Sequence, residues 1–456
     1  MNTKVKKSEY INCTQIMTAI NGLILSSLNL PSLELTKWIN TLLSRYVEVV
    51  SKMLPEKRVL FASLMLFIYG FGQSMLMPIL PLYANILTGS AAWAVFIFTF
   101  RDVIQIFMRI PSGSLSDRIG RKPVMLFGAG CFSFAQLLYY FASNIYTLSV
   151  AVVIQGFGMA LFNPPSQSLF SEMAPKGKLG ETMGYWNMTM GLRSMVAPVI
   201  GGMLAEFFPT YRPIFLITSG ITLTGGLLIA TFLPETNPQK QRGNLFKEMK
   251  DSLKHVAVIP KTLREAFRNR KILSSSIAIF FHGFINGPFN SYFAIHASNM
   301  GFSESVIGSF YTARSLPTFM TPLVGRLSDR IGRITPIIIG LLLYLISLAL
   351  IPSFSIYVLL LIIFVGLGIS GRLITVSTMA GIAEGTAGKR GTGLGVWGTM
   401  LRLGMTFGSL VMGTFVSFFS IHLAFYLASS IAIIGVIVVV LTSREESLLQ
   451  NKTEKN

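Results

Sequence analysis

A small group of charged side chains lies inside segments that are otherwise almost entirely apolar. The group comprises Arg101, Asp102, Arg193, Arg314, Arg372 and Arg402. A charge at the centre of a lipid bilayer costs about 2.5–3.5 kcal/mol on insertion scales, so such a residue normally faces a partner or a polar cavity. Five arginines against one aspartate predict a positive cavity that binds a carboxylate or phosphate through charge-assisted hydrogen bonds. We expect one or two of the arginines to be structural instead.

Two residues could carry protons through such a cavity. Asp102 can release an arginine partner when its carboxylate takes up a proton, and a histidine such as His282 titrates near neutral pH in an ordinary environment. Asn286 and Asn290 follow His282 at helical spacing, on or near the same helix face. The alternative for His282 is a hydrogen-bonded packing residue with no part in proton transfer.

A repeated basic turn marks the elements that must position these residues. The first copy reads Gly113-Ser-Leu-Ser-Asp117-Arg118-Ile-Gly120-Arg121-Lys122, and the second reads Gly325-Arg-Leu-Ser-Asp329-Arg330-Ile-Gly332-Arg333. The copies begin 212 residues apart in a chain of 456 residues. A repeat of that length, with the same turn in the same place, indicates two homologous halves.

The two turns also locate the charged residues along their segments. Asp102 precedes Gly113 by eleven residues, and Arg314 precedes Gly325 by the same number. At about 1.5 Å per helical residue, both lie roughly 16 Å from their turn, near the middle of a bilayer core of about 30 Å. Asp102 and Arg314 therefore occupy equivalent positions, acidic in one half and basic in the other.

Composition indicates an all-α membrane protein. The chain is 52% hydrophobic and 12% charged, whereas soluble domains carry about 25% charged residues. Apolar runs of about 20 residues, the length that crosses a bilayer, recur along most of the chain. The net charge of +19 fits basic loops at a membrane better than a nucleic-acid partner. Cys13 and Cys131 suggest neither a disulfide framework nor a metal site.

The apolar runs divide the chain into five parts. These are an amphipathic leader over 1–57, a six-helix half over 58–233, a basic central loop over 234–271, a second six-helix half over 272–442 and a tail over 443–456. The predicted spans are 59–84, 91–112, 123–142, 145–169, 182–206, 212–233, 272–297, 303–324, 334–352, 355–380, 392–416 and 420–441. The leader is expected to lie on the inner membrane surface; the alternative is a weakly ordered extension.

Lysines and arginines crowd the central loop and both repeated turns, while the connections on the other side carry few of them. Under the positive-inside rule, both termini, the central loop and both turns are therefore predicted to be cytoplasmic, in a multi-pass protein of the plasma membrane.

Two six-helix halves, with this turn after the second and eighth spans, resemble the major facilitator superfamily. The loop signature of that family, G-x-L-x-D-R-x-G-R-K, is matched in full by the first copy and lacks only the final Lys in the second. The resemblance implies that spans 1, 2, 4, 5, 7, 8, 10 and 11 line a central cavity, and all the candidate residues fall on these spans. It also places span 2 beside span 11, so that Asp102 and Arg402 would pair across the halves.

The same resemblance implies that the turns lock the cytoplasmic side while the outside is open. We favour this gating role for Gly113 and Asp117. For Arg121, Lys122 and Arg333 the alternative is a purely positive-inside anchor.

Three further motifs resemble the drug:proton antiporter branch of the family. They are Gly70-Phe-Gly72 with Pro78-Ile-Leu-Pro81, Gln155-Gly156-Phe-Gly158, and Ala197-Pro198-Val-Ile-Gly201-Gly202. Ala197 replaces a usual Gly, and Val152 stands where the second motif normally has an Arg implicated in proton coupling. Proton antiport is therefore a hypothesis here. Pro198, Gly201 and Gly202 are expected to serve chiefly in helix packing.

These observations predict a secondary transporter that works by alternating access and is coupled to protons. Its substrate is expected to be a small organic anion or an amphiphile, with export favoured. The alternatives are an uptake permease for a carboxylate or phosphorylated metabolite and a non-transporting membrane sensor on the same fold. No nucleotide-binding loop appears, so an ATP-driven pump is disfavoured. We expect no cofactor, no resident metal and no enzymatic activity, and a monomer in the bilayer.

Overall fold

The computed structural model describes residues 55–175, 179–236, 270–385 and 390–453. Its helices in the first half are α1 (Pro55–Thr88), α2 (Ala91–Ile119), α3 (Arg121–Phe141), α4 (Ile145–Met173), α5 (Leu179–Phe207) and α6 (Arg212–Phe232). The second half contains α7 (Arg270–Asn299), α8 (Glu304–Ser315), α9 (Thr321–Ile331), α10 (Ile334–Leu350), α11 (Tyr357–Gly385), α12 (Arg390–Phe418) and α13 (Ile421–Thr453). The predicted leader, apart from 55–57, and most of the predicted central loop lie outside these ranges.

Eleven helices in the described ranges are long and apolar enough to cross a membrane. The predicted eighth span is not among them because it is interrupted. We predicted one continuous segment over 303–324, whereas the structure has α8, a 3₁₀ turn over Leu316–Met320, and α9. Pro317 and Pro322 explain the interruption, since a proline has no N–H to donate to the α-helical ladder. The layout is thus twelve spans in two halves of six spans each. Helices α8 and α9 together form the eighth span, which is broken just after Arg314.

The repeated turns owe their shape to a glycine between two helices. Gly120 separates α2 from α3 with φ +110°, and Gly332 separates α9 from α10 with φ +84°. A side chain is strained at such positive φ values, so this position of the signature requires glycine. Both turns lie at one end of the molecule, which we call the signature-turn end.

The two halves meet along two pairs of helices. Helix α2 packs along α12, and α5 packs along α8. The backbones of α5 and α8 come close enough that a Cβ at Gly202 would collide with the carbonyl of Glu304, and one at Gly201 would collide with that of Met75 in α1. The motif around Pro198 therefore lies in the contact of α5 with both α1 and α8, where small residues let helices approach.

The largest buried apolar cluster lies at the end opposite the turns. It joins side chains of the first half, such as Tyr83 and Phe215, to Phe289, Phe293 and Phe310 of the second half. Burial of these rings away from solvent holds the halves together at this end.

Candidate functional site

A polar cavity of about 190 Å³ lies mainly within the second half. It is lined by Met77 of α1, Ser194 of α5, His282, Asn286 and Asn290 of α7, Tyr311, Arg314 and Ser315 of α8, and Leu367, Gly368, Gly371, Arg372 and Thr375 of α11. None of these lining residues is acidic. Four predicted residues therefore meet here: His282, Asn286, Arg314 and Arg372.

Among the described residues, only neutral groups hold Arg314 in place. Its guanidinium donates to Oδ1 of Asn290 at 2.6 Å, to Oδ1 of Asn286, and to the hydroxyl of Tyr344 at 3.0 Å. The ring of Phe289 covers it, with Cζ 4.8 Å from the ring centroid. These contacts fix the orientation of the guanidinium but leave its positive charge uncompensated.

Arg372 and His282 add to the polarity of the same cavity. In the described part of the chain, Arg372 has no hydrogen-bond or ion-pair partner. His282 is 5% exposed, and its Nδ1 is buried without a described partner. A small anion entering this space would therefore find one fixed guanidinium and one unengaged guanidinium, with no carboxylate in competition.

The proton candidate Asp102 lies outside this cavity, at the contact of α2 with α12. Its Oδ1 accepts from Nε of Arg101 at 3.3 Å, from Nε2 of Gln105 at 3.4 Å and from a terminal nitrogen of Arg402 at 3.3 Å. The side chain is 1% exposed, and Oδ2 has no partner among the described residues. The structure thus joins Asp102 and Arg402 across the halves, and one carboxylate oxygen is left unengaged.

Arg193 belongs to neither group. Its guanidinium lies against Gly70 of α1, so closely that a Cβ on that glycine would overlap it. Its Nε is buried and has no hydrogen-bond partner in the described ranges. We expected the intramembrane charges to share one cavity apart from one or two structural arginines, and the structure separates Arg193, the group around Asp102 and the cavity that contains Arg314. The residue spacing specifies the helix on which each arginine lies, but it does not specify which neighbouring helix the long side chain contacts. The arginines can therefore be buried singly at different helix contacts.

The repeated turns carry matching ion-pair networks. Arg121 pairs with Asp117 and with Glu172 at the end of α4, the latter at 2.8 Å, and donates to the hydroxyl of Ser116 at 2.7 Å. The Glu235 carboxylate accepts from the backbone N–H of Arg121 at 2.8 Å, and so caps the start of α3.

The second turn repeats this arrangement. Arg333 pairs with Asp329 at 2.6 Å and with Glu384 at the end of α11, and donates to Ser328 at 3.1 Å. The hydrogen bond to Glu384 raises the pKa of the Arg333 guanidinium, although partial burial acts against it. Each of these residues follows its counterpart in the first half by 212 positions. We missed Glu172 and Glu384, and the same 212-residue offset would have revealed them.

The signature residues differ in their exposure. Asp117, Asp329 and Arg330 are exposed, and Arg118 is half-buried. A Cβ built at Gly113 or Gly325 would meet no atom within 4 Å.

Polar contacts also bridge the halves at the end opposite the turns. The Glu206 carboxylate of α5 accepts from the backbone N–H of Ser305 at 2.9 Å and from its hydroxyl at 2.7 Å. The Tyr211 hydroxyl donates to Glu304 at 2.7 Å, and burial together with this contact raises the pKa of the phenol. We call these four residues the outer clamp. Sequence reasoning missed it, since nothing in the spacing of these residues relates the two halves.

Comparison with known proteins gives a consistent result. The family model described as Major Facilitator Superfamily matches residues 62–313 and 275–456. An uncharacterized MFS-type transporter of Methanocaldococcus jannaschii is 26% identical over 363 residues, which cover 78% of this chain and 91% of the relative. The multidrug resistance protein MdtG of Serratia proteamaculans is 29% identical over 292 residues, covering 62% and 68% respectively.

Solved structures share the fold at low sequence identity. A POT family transporter crystallised with a thioalcohol-conjugated peptide has a TM-score of 0.70 at 13% identity, covering 85% of this chain and 96% of that one. The human organic anion transporter MFSD10 (TETRAN) has a TM-score of 0.61 at 17% identity, with 85% and 100% coverage. At these identities the likeness concerns the fold alone.

Proposed function

Because the chain belongs to the major facilitator superfamily, we propose that it is a secondary transporter that carries a small organic anion through the cavity between α7, α8 and α11. The observation that carries this proposal is the pair of uncompensated guanidiniums. Among the residues that the structure describes, Arg314 is bound only by neutral groups, Arg372 has no partner, and no acid lines the cavity. Such a site attracts an anion and repels the organic cations that a multidrug exporter would carry.

Alternating access supplies the transport step. The halves rock about the contacts of α2 with α12 and of α5 with α8, so that the cavity opens to one side at a time. Since one chain contains both halves, a monomer suffices. The distribution of lysine and arginine supports a plasma-membrane location with both termini and the signature-turn end in the cytoplasm.

Proton coupling is assigned to Asp102. Oδ2 of Asp102 has no hydrogen-bond partner among the described residues, so it can accept a proton without displacing an existing hydrogen bond. Protonation removes the negative charge that holds Arg402 across the halves, and this loosens the contact of α2 with α12. His282 remains a second proton candidate, since its Nδ1 is unpartnered and it lines the substrate cavity.

Export is favoured by the likeness to MdtG, which is a multidrug resistance protein. Uptake of an anionic metabolite is the second candidate. It is favoured by the small and polar cavity, in which Met77 and Leu367 are the only large aliphatic side chains among the described lining residues. A large amphiphilic compound would find little apolar surface there.

The test is transport by the purified protein in liposomes. Organic anions and organic cations are offered with and without an imposed pH gradient, and we expect uptake of anions that the gradient enhances. Arg372→Gln should abolish this uptake, while Arg58→Gln, which changes an exposed arginine at the start of α1, should leave it unchanged. Uptake of cations alone would overturn the anion proposal.

A further inference from the structure

The hydrogen-bonding groups of the cavity are divided into donors and acceptors. On one side, the Oδ1 atoms of Asn286 and Asn290 are engaged by Arg314. An amide nitrogen can only donate. Nδ2 of Asn290 already donates to the carbonyl of Asn286 at 3.4 Å, which leaves one N–H group on Asn290 and both on Asn286 for other partners. Arg314 keeps two further N–H groups and Arg372 keeps all of its own, so this part of the wall offers donors.

The hydroxyl groups of the cavity are committed in the opposite way. Ser194 donates to the carbonyl of Met190 at 2.9 Å, and Ser315 donates to that of Tyr311 at 2.9 Å. Thr375 donates to the carbonyl of Gly371 at 2.7 Å. The Tyr311 hydroxyl donates to the carbonyl of Asn290.

A hydroxyl has one proton and two lone pairs. Once its proton is given to the backbone, it can only accept. The four hydroxyls that line the cavity therefore form a set of acceptors in the same cavity as the donors of the arginines and asparagines. A ligand that carried only an oxyanion would satisfy the donors and make no use of these acceptors, whereas a ligand with hydroxyl groups of its own would add hydrogen bonds to them.

We infer that the substrate is a hydroxylated organic anion, in which a carboxylate or phosphate binds Arg314 and Arg372 while its own hydroxyl groups donate to Ser194, Ser315, Thr375 and Tyr311. This inference rests on the proposed function and narrows it. An ammonium group could also donate to these acceptors, but its charge would be repelled by the two guanidiniums. An alkyl chain would offer them no hydrogen at all.

The experiment compares anions of equal charge and similar size that differ in hydroxyl groups. Binding to the purified full chain is measured by calorimetry for glycerate against propionate, malate against succinate, gluconate against hexanoate, and glycerol 3-phosphate against propyl phosphate. We expect the hydroxylated member to bind at least tenfold tighter in the pairs that bind. Glucose, which has hydroxyls but no charge, should bind at least tenfold more weakly than gluconate.

Variants connect this preference to the cavity. Ser315→Ala and Thr375→Val should weaken binding of the hydroxylated anion fivefold or more and leave binding of its deoxy partner unchanged. Ser430→Ala is the matched control, because Ser430 makes the same kind of backbone bond, to the carbonyl of Tyr426 at 3.0 Å, on α13 outside the cavity. Thermal stability of each variant shows that the fold is retained.

The outcomes separate the two proposals. Equal or tighter binding of the deoxy anions, or a preference for hydroxyls that survives both cavity substitutions, would overturn the hydroxylated substrate while leaving an anion transporter in place. Binding of organic cations with no binding of any anion would overturn the proposed function itself.

Discussion

Asp102→Asn is the most direct test of how transport is driven. The substitution keeps the shape of the side chain and an Oδ1 that can accept, but removes the charge that faces Arg101 and Arg402. Each contact joins opposite charges at 3.3 Å, worth about 5 kcal/mol at an effective dielectric constant of about 20 before desolvation is counted. Removing one partner of a buried pair costs about 3–5 kcal/mol, because the remaining charge stays buried.

The structure places the expected cost at the low end of that range. The side chains of Arg101 and Arg402 are 23% and 19% exposed, so water screens part of the unpaired charge. We expect Asp102→Asn to lower the free energy of unfolding by about 3 kcal/mol. Adding Arg402→Gln should restore part of this loss, since one of the two unpaired charges is then gone.

Transport assays distinguish a loss of proton coupling from a loss of substrate binding. In liposomes, Asp102→Asn should abolish accumulation driven by a pH gradient but retain exchange of labelled for unlabelled substrate at equal pH on both sides. Arg402→Gln alone serves as the companion variant, because it removes the contact across the halves but leaves Asp102 paired with Arg101. Accumulation in Asp102→Asn equal to that of the parent protein would refute the reasoning.

Three further substitutions test other parts of the structure. Glu206→Gln should weaken the outer clamp by about 1 kcal/mol or less, because Glu206 is exposed and water screens the contact. Hydrogen exchange at the start of α8 should then accelerate, and unchanged exchange would contradict the clamp. Gly120→Ala should destabilise the protein by about 1 kcal/mol or more because of its positive φ, whereas Gly113→Ala, in open space, should not. A Cβ at Gly287 would stand 2.7 Å from the Met405 carbonyl and would push α7 and α12 apart. Gly287→Ala should therefore reduce both substrate affinity and the dependence of transport on the pH gradient. A loss of thermal stability with neither of these effects would count against a link between the two helices.

Some of the site followed from the sequence because the chain is duplicated. Counting eleven residues back from each turn located Asp102 and Arg314, and the helix order implied by the family placed Asp102 opposite Arg402. Both steps use only chain position, which the repeat specifies. The approximate positions of the spans followed from apolar length and glycine turns, which are local properties. Their ends did not, since α1 ends at Thr88 and α2 at Ile119 where the predicted spans end at 84 and 112.

The remainder depends on side-chain contacts that chain position does not determine. The sequence could not say that Arg314 reaches Asn286, Asn290 and Tyr344 while Arg193 lies against Gly70. It also could not show that the hydroxyls of the cavity donate to their own backbone. The break after Arg314 was accessible in principle, because two prolines five residues apart, Pro317 and Pro322, oppose a continuous helix.

The two charged groups, although separate, are connected through backbone contacts. Helix α7 carries His282 and Asn286 of the cavity, and α12 carries Arg402. Between them, Gly283 lies against the carbonyl of Leu401 and Gly287 against that of Met405, on either side of Arg402 along α12. Helices packed this closely cannot slide independently, because a packed interface resists partial displacement. We therefore expect a change in the pairing of Arg402 to shift the helix that orients Asn286, which in turn holds Arg314. Under the proposed function, a proton on Asp102 would alter the anion site without touching the anion, and the proton and the substrate would be coupled without sharing a binding site.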